Sequence, residues 1–314
     1  LNAVTRLPLR PSEQIQSISI ISNKVIEEQG NMTITDAVRN VVGVTQFASF
    51  GNAQESLSTR GYRGIPTLKN GVRVQSDFRG GGFLTDMQGV ESIQVLKGTA
   101  AITQGIGNDL GSAGGVINIA TKTPKFVNAG EVSLRSGSWG QFRPTFDVQT
   151  VLDKEQAIGF RINGAFERAD NYRVNVSKDR IYVNPSFAWK PNKKTSVTVE
   201  MDYMHDTRTP DRGTVNLAAD SVNALYKMPH NNFLGFETDR ALTNNLTYAL
   251  RFDRSLSDLF SVRVAYFGST LDTDNTGAST STLKNVSKTG LYNLRSRSLT
   301  RSTRADNNSA LQID

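Results

Sequence analysis

The sequence contains no cysteine, which excludes both a disulfide framework and a thiolate metal site. Histidine is almost as scarce: His205 and His230 are the only two, so imidazole-based metal centres and catalytic sets have little to draw on. Long hydrophobic runs are missing too. No apolar stretch approaches the roughly twenty residues of a spanning helix, and the mean hydropathy is −0.37. A transmembrane β-barrel survives this test, because its lipid-facing residues alternate with lumen-facing ones and the average reads as polar. The net charge is +7, yet no run of five like charges occurs. Nucleic-acid binding would call for clustered basic residues interleaved with aromatics, and here the charges are spread out. The chain opens at Leu1 without Met or an apolar leader, as a processed or trimmed chain would.

What is present divides near Lys125. Up to that point the sequence is made of short β-runs broken by Gly, Asn-Gly and Pro. Residues 15–22 alternate like a strand, and residues 23–29 suit one or two helical turns ending at Gly30. Thr35 is placed to cap a core-packing helix over residues 36–42, with Gly43 at its end. Asn70-Gly71 is a strong hairpin signal. The glycines at 105 and 107 lack the third glycine of a dinucleotide fingerprint, and no Gly-Lys-Ser/Thr follows for a phosphate loop. They read as tight-turn glycines.

From Gly130 the texture changes to long strands of period two. Phe142, Pro144, Phe146, Val148 and Leu152 alternate with Arg143, Thr145, Asp147 and Gln149. Similar runs begin near Ile158, Ile181, Val197, Leu246 and Phe260, each long enough to cross a bilayer at a tilt. Short connections at Asp153-Lys154-Glu155, Pro191-Asn192-Lys193 and Ser257-Asp258 alternate with long polar ones at residues 170–178, 207–241 and 271–288. Short turns on one side and long loops on the other are the pattern of an outer-membrane barrel. Phe142, Phe166, Trp189, Tyr203 and Tyr266 lie toward strand ends, where interfacial aromatics belong.

Several elements in order carry a family resemblance: Ser58-Thr59-Arg60-Gly61-Tyr62, Asn70-Gly71-Val72, residues 90–98 (VESIQVLKG) and residues 114–124 (GGVINIATKTP). Together they resemble the plug domain of TonB-dependent outer-membrane receptors, ferric-siderophore group. Ser92 and Thr99 depart from that family's usual Arg and Pro, and Thr103 from its aromatic. The resemblance implies a mixed α+β plug, a small β-sheet with short helices, in residues 1–125. Residues 126–314 would then be the first eight to nine strands of an antiparallel transmembrane β-barrel. An eight-stranded barrel cannot enclose a plug, and an open sheet leaves unpaired edges in lipid. The chain is therefore expected to be part of a 22-stranded barrel.

The function implied is energy-coupled import of a ferric siderophore across the bacterial outer membrane. The partners would be the siderophore, the TonB periplasmic domain and outer-membrane lipid, with no nucleic acid and no resident cofactor or metal. Val4, Thr5 and Arg6 look like the end of the TonB-box region. The resemblance places Arg60, Tyr62, Gln75, Ser76, Asp77, Phe78 and Phe83 toward the ligand. For Arg60 a salt bridge from plug to barrel wall is the other reading. Rival functions are import of cobalamin or a glycan, and a β-rich surface protein that binds without transport. No Ser/His/Asp or Cys/His set supports an enzyme, and His230 reads as a solvated loop residue.

Overall fold

The computed structural model describes residues 17–48, 55–75, 84–98, 114–211, 229–257, 260–280 and 297–313. The first part of the chain begins with strand β1 (Ser17–Ser22) and helix α1 (Asn23–Glu28), which Ser22 caps through its side chain. Gly30 follows at φ +63, where the helix must turn back. Helix α2 (Ile34–Val38) is shorter than its sequence suggests, and its N-cap is Thr33 rather than Thr35. Thr33 is extended, and its Oγ1 accepts from Asp36 N at 3.0 Å. The amides of Ile34 and Thr35 go instead to the Glu55 carboxylate, at 3.1 and 3.2 Å. A side chain distant in sequence thus completes the cap, which is why local spacing pointed two residues too far along. Gly43, at φ +80, serves the turn into β2 (Val44–Ala48).

Strands β2, β3 (Ser56–Thr59) and β4 (Tyr62–Arg63) form a three-stranded sheet. The larger sheet joins β1 to β5 (Thr67–Lys69), β6 (Val72–Gln75), β7 (Val90–Lys97) and β8 (Gly115–Thr121) in the order β1-β7-β8-β5-β6. Asn70 and Gly71 both take positive φ, 50° and 86°, as the predicted two-residue hairpin requires. Ile93, Val95, Ile117 and Ile119 bury one face of this sheet against Ile26, Val38 and Val41 from the helical segment. Leu68, Leu96 and Val116 form a smaller apolar cluster.

The remainder is one antiparallel sheet of eight strands in sequence order. They are β9 (Ala129–Ser136), β10 (Phe142–Val151), β11 (Ile158–Asp170), β12 (Ser177–Asn192), β13 (Thr195–Arg208), β14 (Arg240–Ser255), β15 (Ser261–Thr280) and β16 (Arg297–Ile313). Among the described residues β9 and β16 each pair on one side only. β15 runs nine residues past Leu271, where the sequence suggested a loop. Its last stretch is polar on both faces, so alternation disappears while pairing to β14 and β16 continues.

The two faces of this sheet are opposite in character to those of a soluble sandwich. Phe142, Phe166, Ile181, Trp189, Val199, Tyr248, Leu250 and Tyr266 are exposed on the outside. Arg143, Arg161, Glu167, Arg180, Glu200 and Asp206 are buried against the N-terminal unit. On β12 the outward apolar residues run from Ile181 to Trp189, roughly 26 Å of strand at about 3.3 Å per residue. The cross-strand row that starts at Ile181 continues through His205, Asn244, Asp272 and Ala305. It leaves the apolar band almost at once, and on β16 only Leu311 and Ile313 still belong to it. The band therefore runs obliquely to the hydrogen-bonded rows, as tilted barrel strands demand.

Candidate functional site

Arg60 and Tyr62 sit at the turn between β3 and β4. Arg60 has φ 51, its amide donates to Gly43 O at 2.8 Å, and both side chains are exposed. The turn is fixed from below by Thr59, whose Oγ1 donates to Gly114 O at 2.6 Å. The Arg60 guanidinium has no carboxylate partner among the described residues. Gln75 ends β6, with only its backbone described; Ser76, Asp77, Phe78 and Phe83 lie outside the described residues. The structure thus brings together two of the seven candidates, Arg60 and Tyr62.

The anchors are elsewhere, and sequence reasoning missed them. The segment 84–89 leads into β7 and inserts against the wall. Leu84 joins Ala165, Tyr182 and Met204 in an apolar cluster, and its carbonyl accepts from Asn245 Nδ2 at 2.9 Å. Asp86, whose side chain is 0 % exposed, accepts from Arg143 at 2.6 Å and from Arg180 at 3.2 Å. Arg143 also bonds Glu167 at 2.9 Å, and Arg180 bonds Asp206 at 2.7 Å. Glu167, Arg180 and Asp206 are direct cross-strand partners, so the wall presents a row of alternating charge into which Asp86 fits. Burial alone would raise the Asp86 carboxyl, but Arg143 and Arg180 outweigh it and hold the group well below the usual carboxylate range.

Three further sets of contacts lie along the same seam. Lys69 reaches Asp202 at 2.7 Å, both groups nearly buried, and Asp202 also accepts from Tyr182 at 2.5 Å. Asn70 and Thr121 share the Glu200 carboxylate, the latter at 2.7 Å. Lys122 pairs with Asp147 at 2.9 Å, and Arg161 with the same carboxylate at 2.8 Å. Ser92 lies between Ser22 and Ala120 within the sheet, so Lys69 and Lys122 supply the cationic anchors that this position lacks. The signal available in the sequence was the inward row of charges on the wall strands; its partners on the inner unit have no local mark.

Neither histidine takes part in this seam. His205 lies on the outer face of β13, bonded to Asn244 Oδ1 at 2.7 Å. His230 is exposed and stacks on Tyr172 at 6.3 Å, beside Trp139, in the long-loop region. Among the described residues no group of three or more His, Cys, Asp or Glu could hold a metal.

An inner unit of two small sheets, bolted by buried charges to an inside-out strand wall, matches a known design. Residues 10–116 match the family model described as the TonB-dependent Receptor Plug Domain. Over that stretch the chain is similar to the plug of TonB-dependent receptors. The plug-like unit lies against eight antiparallel strands whose fold is that of part of such a receptor's barrel. The metal-pseudopaline receptor CntO of Pseudomonas aeruginosa is 28% identical over 84% of this chain and 36% of that protein. The catecholate siderophore receptor Fiu of Escherichia coli K12 is also 28% identical, over 80% of this chain and 34% of its own length. The chain thus spans about a third of the length of these relatives. The solved open form of Fiu superposes with a TM-score of 0.77 at 22% identity, covering 96% of this chain and 46% of that one. The pyoverdine receptor FpvA of P. aeruginosa, bound to pyoverdine, gives 0.76 at 20% identity, over 89% and 40%. These likenesses establish the fold of plug and wall.

Proposed function

We propose that the receptor containing this chain imports a ferric siderophore or a closely related metal chelate, with residues 1–125 as plug and 126–314 as wall. The observation that carries this reading is the seam. It is lined by buried ion pairs and amides, with an apolar cluster around Leu84 among the described residues. Taking such pairs out of water costs about as much as their attraction returns, so the seam is specific in register yet open to rehydration. A plug meant only as a permanent seal would be served better by apolar packing. Relatives named as receptors of metal-pseudopaline, catecholate siderophores and ferrioxamine B support metal chelates over cobalamin or a glycan.

Arg60, Tyr62, Gln75, Ser76, Asp77, Phe78 and Phe83 are the proposed ligand-facing residues. Energy coupling through TonB has support in β1, which among the described residues pairs on one side only, with β7. A pull on the chain before Ser17 would load that strand pair directly. No catalytic role is proposed.

The test is uptake of radiolabelled ferric chelates by cells carrying the whole receptor, with and without TonB. Saturable uptake that disappears without TonB is the expected result. Binding without uptake in either strain would assign a surface binding protein instead. Uptake of cobalamin or oligosaccharide alone would overturn the substrate while keeping the architecture.

A further inference from the structure

The short-turn rim of the wall carries cations that no carboxylate among the described residues pairs with. Lys193 and Lys194 form the β12–β13 turn, and Lys194 O accepts from Ser255 N at 2.8 Å, which holds it beside Arg254, the cross-strand partner of Thr195. Lys190 lies over the Phe126 ring at 4.3 Å. All four cations are exposed, and among the described residues none has a carboxylate partner. The acids nearby in sequence are occupied or few. Asp153 binds the amides of Ala157 and Ile158, and Asp253 binds Arg263.

The long-loop rim is different. There Arg168, Arg173, Arg208 and Arg301 pair with Asp179, Asp211, Asp206 and Asp274 respectively. Among the described residues, then, most long-loop cations are paired, with Arg240 the exposed exception, whereas the four at the short-turn rim are not. That end is where Trp189, 44% exposed, closes the outward apolar band immediately before Lys190. An aromatic ring at the lipid boundary followed by unpaired ammonium and guanidinium groups is the arrangement that recognises a negatively charged headgroup from the membrane side.

We propose that Lys190, Lys193, Lys194 and Arg254, with Trp189 beside them, bind acidic phospholipid headgroups of the inner leaflet. The site would hold the short-turn rim at a fixed depth. It is independent of what the receptor carries, so it stands or falls apart from the import reading.

The experiment uses the whole receptor, equilibrated in mixed micelles holding equal phosphatidylglycerol and phosphatidylethanolamine, with bound lipid read by native mass spectrometry. Four cations acting near one surface should give a preference for phosphatidylglycerol of about tenfold or more, weakened by added salt. The combined variant K190Q/K193Q/K194Q/R254Q should bind the two lipids equally. Should that variant fail to fold, K193Q/K194Q alone is expected to lose a measurable part of the preference. Equal retention by the unmodified receptor, or a preference that survives in the variants, overturns the proposal. So does complete displacement by millimolar inorganic phosphate, which would mean that free anions suffice. Capture of an acidic peptide with no lipid preference would assign the rim to a protein partner and equally overturn it.

Discussion

The Tyr182 hydroxyl of the wall occupies the place where a β-carbon on Gly89 of the plug would stand. Gly89 has no positive φ, so the requirement is one of space alone. G89A should therefore force the plug off its seat at a cost of about 1–3 kcal/mol, the usual range for overpacking. The thermal midpoint of the whole receptor in detergent is the readout. Pairing the substitution with Y182L should restore most of the loss; no rescue would mean that the contact is not the cause.

Asp86 joins two guanidiniums that have wall carboxylates of their own. Replacing it by asparagine keeps the shape and removes the charge, leaving Arg143 and Arg180 under-compensated in a buried seam. D86N is expected to destabilise the seated plug by roughly 3–5 kcal/mol. Limited proteolysis of the plug should report it, with cleavage rising while the barrel stays intact. An unchanged cleavage rate would remove Asp86 from the seam's energetics.

The same residue gives a pH dependence. Its carboxyl is depressed in the seated state, so its contribution is complete above the ordinary carboxylate pKa of about 3.9. That contribution is lost as pH falls from there through the depressed value. Plug seating should hold steady from neutral pH down to about 4 and then weaken, and D86N should flatten that acid limb. Hydrogen exchange of β7 amides across an acid series measures both.

The outward band predicts a depth profile. Val199 sits midway along the apolar residues of β13, whereas Thr303 lies above the band on β16. V199R should cost about 2–4 kcal/mol and T303R close to nothing. Refolding titrations into bilayers compare them directly, and equal costs would contradict the oblique band.

If the turn at Arg60 faces the ligand, R60A and Y62A should each weaken binding of the cognate ferric chelate by about tenfold, near 1.4 kcal/mol. Both residues are exposed and neither has a carboxylate partner among the described residues, so thermal stability should stay unchanged. Fluorescence titration of the whole receptor separates the two effects. Unaltered affinity in both variants would move the site to residues 75–83.

Much of the wall was legible in the sequence because a strand in a membrane barrel writes its environment into every second residue. Phe166 against Glu167, or Ile181 against Arg180, shows the two faces without reference to any neighbour. The Asn70-Gly71 hairpin was equally local. The cap of α2 was not, because Glu55 supplies it from outside the helix. Nor was the end of β15, where both faces are polar and pairing alone sustains the strand.

The sequence by itself determined that this chain is a β-rich plug followed by tilted barrel strands, because alternation, turn chemistry and the order of plug motifs are short-range properties. Only the tertiary structure decided which charges meet. Asp86 is separated by 57 residues from Arg143 and by 94 from Arg180. Lone charges in a sequence look alike, and their roles depend on what lies across the seam. The same reason explains why Lys69 and Asp86 drew no notice and yet hold the plug in place.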